Sequence, residues 1–260
     1  MQPKTASSAD DVLEALEVAA ALVADCGRYA AERQGGVVEE VKDDAVSLAG
    51  AVVTEVDREV ESRLDAALSK AFPDDGMVGE EYVDRAGSSG RTWYADPVDG
   101  TLNYARRLGP WSVVLSAWRD DACELVAVWT QGSVYTAAQG RGAHRDGRPL
   151  QLTGAPAERS GIVRVPPRLA AAAAARRWSV RGIESSATEL CQVADGRILG
   201  TVRLGGLRRD LHGPALLVQE AGGVVTDLQG RGWDGATEGL VVAAPSTHAA
   251  LLDLVDAGGR

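Results

Sequence analysis

TWYADPVDGTLNY, residues 92–104, reads as a strand running into a turn and then a helix. The β-prone Trp93 and Tyr94 predict a strand that stops at Asp96-Pro97. Gly100 then frees the backbone, and a helix starting at Gly100 or Thr101 would point its unpaired N–H groups back at the acids just passed. Asp96 and Asp99, with Pro97 constraining the chain between them, form a compact oxygen-ligand set for a hard divalent cation, and Mg2+ suits it. Cation and helix end would converge on one anion. A lone Asp-x-x-Asp is more often a cap or a turn. Here Gly100, Thr101 and Asn103 follow, and a second acidic pair, Glu80-Glu81, ends the short run Met77-Val78-Gly79 after the turn signal PDDG.

Working outward, apolar residues at helical spacing predict one long amphipathic helix from Ala9 to about Arg33. Val56, Val60, Leu64 and Leu68 predict a second, whose charged face is expected to meet solvent; by its residues alone, Asp57 belongs to that solvated face. WSVVLSAW, CELVAVWTQ and SVYTAAQ, between Trp111 and Gln151, alternate with turns and predict an antiparallel meander. Helices are expected at Arg168–Arg177, Ser186–Ala194, Pro214–Ala221 and from His248, with strands at ILGTVRL, GGVVTDLQG and GLVVAAP. The expected class is layered α/β: residues 1–150 form an α+β part with a large, mostly antiparallel sheet and metal ligands, and 151–260 a smaller α/β part.

A net charge of −10 argues against a nucleic-acid partner, whose phosphates need clustered Lys and Arg. An acidic chain that handles phosphate needs a local cation, and bound metal supplies one. Cys26, Cys123 and Cys191 lack disulfide or zinc spacing and fit a reducing cytoplasm as small apolar groups. The start MQPKTASSADD has no signal-peptide pattern, and no run of 18 apolar residues predicts a membrane span. His144, His212 and His248 are not arranged as a catalytic set.

GEE at 79–81, DPVDGTLNY at 96–104 and DLHGPALLVQEAGG at 210–223 resemble, in order and spacing, the signature segments of inositol monophosphatases. VVTEVDREVE at 52–61 is similar to that family's Thr-x-x-Asp segment. The resemblance spans about residues 10–250 and implies an αβαβα sandwich of the sugar-phosphatase type that hydrolyses an inositol monophosphate or a related cyclitol or sugar phosphate. It implies two or three Mg2+ ions: Glu80, Asp96 and the Val98 carbonyl for one, Asp96, Asp99 and Asp210 for the second. Thr101, linked to Asp57 directly or through Thr54, would orient the attacking water, and the N–H groups of Gly100 and Thr101 would hold phosphate. It also implies a homodimer and inhibition by lithium. Histidinol phosphate or fructose 1,6-bisphosphate on the same scaffold, or a catalytically weakened binding or regulatory protein, are the alternatives.

The departures from the family wording bear on substrate. Ala51 replaces an acid, Arg209 replaces the Trp before Asp210, and Leu211, His212, Gly213 and Pro214 follow where small residues are usual. Arg203 stands where inositol-specific members carry a hydroxyl-binding Glu, and Glu184 replaces a Gly ahead of Ser185 and Ser186. Arg203 suits an anion and Glu184 an ammonium, so these four positions are the expected substrate contacts beside Asp99, Gly100 and Thr101.

Overall fold

A computed structural model describes residues 9–37, 39–41, 52–152, 161–204, 208–235 and 239–258. Helix α1 (Ala9–Arg33) buries Ala15, Ala19, Val23, Cys26 and Ala30, a stripe of small side chains at i+3 and i+4 steps that lets the helix lie close to a sheet. Helix α2 (Glu55–Ala71) buries Val56, Val60, Leu64 and Leu68 beside it. Its acids do not all meet solvent as expected: Asp57 and Glu61, four residues apart on one face, have no exposed surface. Periodicity counts only apolar residues, so a buried carboxylate on such a helix reads as a surface group.

Both helices cover one face of an eight-stranded sheet of order β10-β9-β8-β7-β6-β5-β3-β4. Its strands are β3 (Gly76–Val78), β4 (Asp84–Arg85), β5 (Arg91–Asp99), β6 (Ser112–Arg119), β7 (Ala122–Thr130), β8 (Ser133–Ala138), β9 (Ala143–Arg145) and β10 (Arg148–Pro149). All neighbours are antiparallel except β3 with β5. Strand β5 does not stop at Asp96-Pro97; it runs on to Asp99 across an irregularity in its pairing with β6. A small antiparallel pair, β1 (Glu39–Val41) and β2 (Val52–Thr54), precedes α2.

The period-two alternation of a strand buries both faces of this sheet. Val113, Leu115, Ala117, Leu125, Ala127 and Trp129 join the core under α1 and α2. Val114, Trp118, Val126 and Val128 face the other way, onto α5 (Ser186–Ala194) and α6 (Arg208–Glu220), where Leu190, Val193, Leu217 and Val218 meet them. Helix α6 begins before Pro214 because Leu211, Ala215 and Val218 form one buried stripe across the proline.

A five-stranded sheet of order β12-β11-β13-β15-β14 lies on the far side of α5 and α6. It comprises β11 (Gly161–Arg164), β12 (Trp178–Val180), β13 (Gly200–Arg203), β14 (Val224–Thr226) and β15 (Leu240–Ala243). Leu240 and Val242 face the shared helix layer, while Val241 and Ala243 pack with Leu169, just before α4 (Ala170–Ala175), and with α4 and α7 (Pro245–Gly258) through Ala173, Leu251 and Leu254. The layers run αβαβα, as the resemblance implies. His212 packs between Trp118 and Trp233, and buried His248 meets Thr226 at 2.9 Å. No helix among the described residues is long and apolar enough to cross a membrane.

Candidate active site

Residues three apart on a regular strand point to opposite faces, so Asp96 and Asp99 should diverge. They do not, because Asp96 pairs with Val114 and Asp99 with Ser112, which leaves β5 one residue longer than β6 over this stretch. That bulge turns both acids to the same side. Gly100 follows at φ +92, a left-handed conformation that a side chain would strain, and the six-residue helix α3 (Thr101–Arg106) starts at once.

Glu80, Asp96, Val98, Asp99, Gly100 and Thr101 thereby line one cavity of about 210 Å3, closed on the other side by Val52, Glu184, Ser186 and Arg203. Helix α2 contributes from below. Thr54 donates to Asp57 Oδ2 from its N–H (2.9 Å) and its hydroxyl (2.5 Å), capping the helix. Thr101 Oγ lies 3.2 Å from Asp57 Oδ1 and 2.8 Å from the Val98 carbonyl, so its single proton serves one acceptor at a time. The Thr101–Asp57 link is direct. Burial pushes the Asp57 carboxyl up to about 7, against the Thr54 hydrogen bonds and with help from the nearby charges of Glu81 and Glu80.

Asp99 has a second occupation that its sequence context does not reveal. Its Oδ1 accepts the Ser186 N–H at 2.8 Å, and its Oδ2 accepts the Ala187 N–H at 2.8 Å and the hydroxyls of Ser112 and Ser185 at 2.7 Å. The carboxylate caps α5 from a distant segment and ties the two halves of the chain together. Behind it, Ser185, Thr188 and Thr130 continue a buried hydroxyl chain. Ser185, expected at the substrate, thus turns its hydroxyl to Asp99 and Thr188, with Ser186 at the cavity wall instead.

On the opposite wall Arg203 faces Glu189, an α5 carboxylate with no exposed surface, through Nε and Nη2, both at 3.3 Å. Arg164 reaches the same carboxylate at 3.4 Å, and the Thr201 hydroxyl donates to it. Sequence reasoning misses Glu189 because nothing distinguishes a buried acid within SATELCQVA until its arginines are located. Glu184, exposed and at φ +56, completes this wall. Asp210 falls in the first turn of α6, but its side chain and that of Arg209 lie outside the described residues, as does Ala51.

The donor set at the Glu80 end is all oxygen: three carboxylates and, at Val98, a backbone carbonyl. Among the described residues no three of His, Cys, Asp and Glu stand close enough to hold a metal ion by themselves. An open, partly protein-built site is what a hard cation such as Mg2+ uses, since it keeps waters and takes the rest of its oxygens from substrate. The residues present fit such an ion.

The inositol monophosphatase family model matches residues 10–259. The inositol-1-monophosphatase ImpA of Mycolicibacterium smegmatis is 30% identical over 224 residues, covering 80% of this chain and 81% of the relative. A putative Nus factor SuhB of Neisseria meningitidis is 29% identical over 250 residues, covering 86% and 92%. The solved structure of a Thermotoga maritima IMPase superposes with a TM-score of 0.86 at 23% identity, covering 95% of this chain and 98% of that one.

Proposed function

The chain belongs to the inositol monophosphatase family, and from that premise we propose that it is a Mg2+-dependent phosphomonoesterase acting on a small polyol or sugar phosphate. The observation that carries the reading is the convergence of Glu80, Asp96 and Asp99 with Gly100 and Thr101 in one cavity. Glu80, Asp96, the Val98 carbonyl, Asp99 and Asp210 are the residues to hold the ions. Bound there, divalent cations would make a water acidic enough to attack near neutral pH and would offset charge on the leaving oxygen. Thr101, held by Asp57, orients that water through its hydroxyl, and Thr54 fixes the Asp57 carboxyl. Gly100 and Thr101 offer backbone N–H groups to the phosphate. A homodimer in the cytoplasm is part of the same reading.

Arg203 only donates hydrogen bonds and Glu184 only accepts them, so the alcohol part of the substrate is one that presents an acceptor to the first and a hydroxyl or ammonium to the second. Removing Arg203 outright would leave Glu189, which has no exposed surface, with Arg164 as its one remaining cation among the described residues, so Arg203→Lys, which keeps the charge, is the cleaner probe. Phosphate release from a panel of cyclitol, sugar and histidinol phosphates, with Mg2+ and with chelator, tests the proposal. Release that needs the metal, disappears in Asp96→Asn and changes its substrate ranking in Arg203→Lys is expected. Folded protein that releases phosphate from none of them would favour the second reading, a regulatory role suggested by the SuhB relative.

A further inference from the structure

Helix α2 carries Asp57, Glu61 and Asp65 at successive steps of four, which places the three carboxylates along one face. Each is tied to a different neighbour. Asp57 meets Thr101, and Asp65 accepts from Arg85 Nε at 3.1 Å. Glu61, between them, accepts three consecutive backbone N–H groups: Glu81 at 2.8 Å on Oε2, and Tyr82 at 2.9 Å and Val83 at 2.7 Å on Oε1. A carboxylate with no exposed surface has become the anchor of the loop that begins with Glu80. Gly79 shows how close the fit is: a Cβ there would lie 2.3 Å from the Glu61 carboxyl.

We infer that Glu61 is a positioning residue for the metal site: through the N–H groups of residues 81–83 it sets where Glu80 stands relative to Asp96. The inference rests on the metal-site reading given above. The same helix then fixes both the Thr101 hydroxyl, by Asp57, and the Glu80 carboxylate, by Glu61, so one rigid element sets the separation of two site groups that lie 21 residues apart in the chain. Groups that hold metal ligands in place typically matter by about 10- to 100-fold in metal affinity.

The test titrates the metal-free full-length protein with Mn2+ and counts the free ion by electron paramagnetic resonance, alongside thermal unfolding. Glu61→Gln puts an amide NH2 against a backbone N–H, and Mn2+ affinity is expected to fall about 10- to 100-fold while turnover at saturating Mn2+ recovers towards the wild-type value. Asp65→Asn, which removes the charge from the neighbouring tie to Arg85, is expected to lower the melting temperature and leave the Mn2+ affinity unchanged. Gly79→Ala, which crowds the same carboxylate from the other side, is expected to weaken Mn2+ as Glu61→Gln does, and gives the answer should Glu61→Gln not fold. Wild-type Mn2+ affinity in Glu61→Gln or, failing that variant, in Gly79→Ala overturns the inference, as does an equal loss in Asp65→Asn. Wild-type protein that binds no Mn2+ overturns the metal site itself.

Discussion

Asp99 shows why a residue's type does not settle its job. Its carboxylate is expected at the metal, yet it accepts two N–H groups and two hydroxyls and so holds the start of α5 against β6. Asp99→Asn should therefore destabilise even the metal-free protein, by about 2–3 kcal/mol, because charge-assisted bonds become neutral and one amide NH2 faces donors. Chemical denaturation in chelator checks this; unchanged stability would leave Asp99 with a metal role alone. Asp57 offers a pH signature. Its carboxyl titrates near 7 in the folded, metal-free chain and near the ordinary carboxylate value of about 3.9 when unfolded. The folded state holds the extra proton between those values, so this group's contribution is full below about 4 and is lost as pH rises through 7. Asp57→Asn cannot ionise. Its melting temperature relative to wild type, both metal-free, should rise between pH 5.5 and pH 8, and a constant difference would contradict the buried-acid account.

At the scale of elements, the bulge in β5 and the turn at Gly100 act together: one swings Asp99 to the side of Asp96, the other starts α3 at the same place. Gly100 leaves little room for a side chain, since a Cβ there would lie 3.0 Å from the Glu184 carbonyl oxygen and from Ser185 Cβ. Gly100→Ala should cost about 1–2 kcal/mol from the left-handed backbone alone, and stability equal to wild type would mean that the turn relaxes freely. Much of this is legible in the sequence. Helix α1 and helix α5 match their expected limits, Ala9–Arg33 and Ser186–Ala194, because an unbroken 3.6-residue apolar rhythm leaves little ambiguity. The meander from Ser112 to Ala138 is equally clear, since turns punctuate strong β-formers. What stays hidden depends on partners distant in the chain. Strands β11 and β12 are four and three residues long and gain their identity only by pairing with each other and β13. Glu61 and Glu189 look like surface acids until the N–H groups and guanidiniums they serve are brought to them.

For the molecule as a whole, the layer formed by α5 and α6 belongs to both sheets at once. Val114, Val126, Val128 and Tyr135 of the large sheet and Leu240 and Val242 of the small one pack into the same core, and Asp99 adds a polar tie from β5 to the start of α5. A chain divided near residue 150 would leave that face of the large sheet bare, with Trp118 and its aliphatic neighbours turned to water. Two halves that share a core rather than touch across a polar interface should unfold together. Calorimetry of the full chain in chelator is accordingly expected to give one transition, with Mg2+ raising its midpoint as a ligand held only by the folded state must. Co-expression of residues 1–150 and 151–260 as separate pieces gives an independent check: if the two pieces stay apart and each keeps a cooperative transition, the shared layer does not couple the halves. If the pieces stay together until they melt as one, the helix layer is the element through which an ion bound at the proposed site on β5 would stabilise the distant five-stranded sheet.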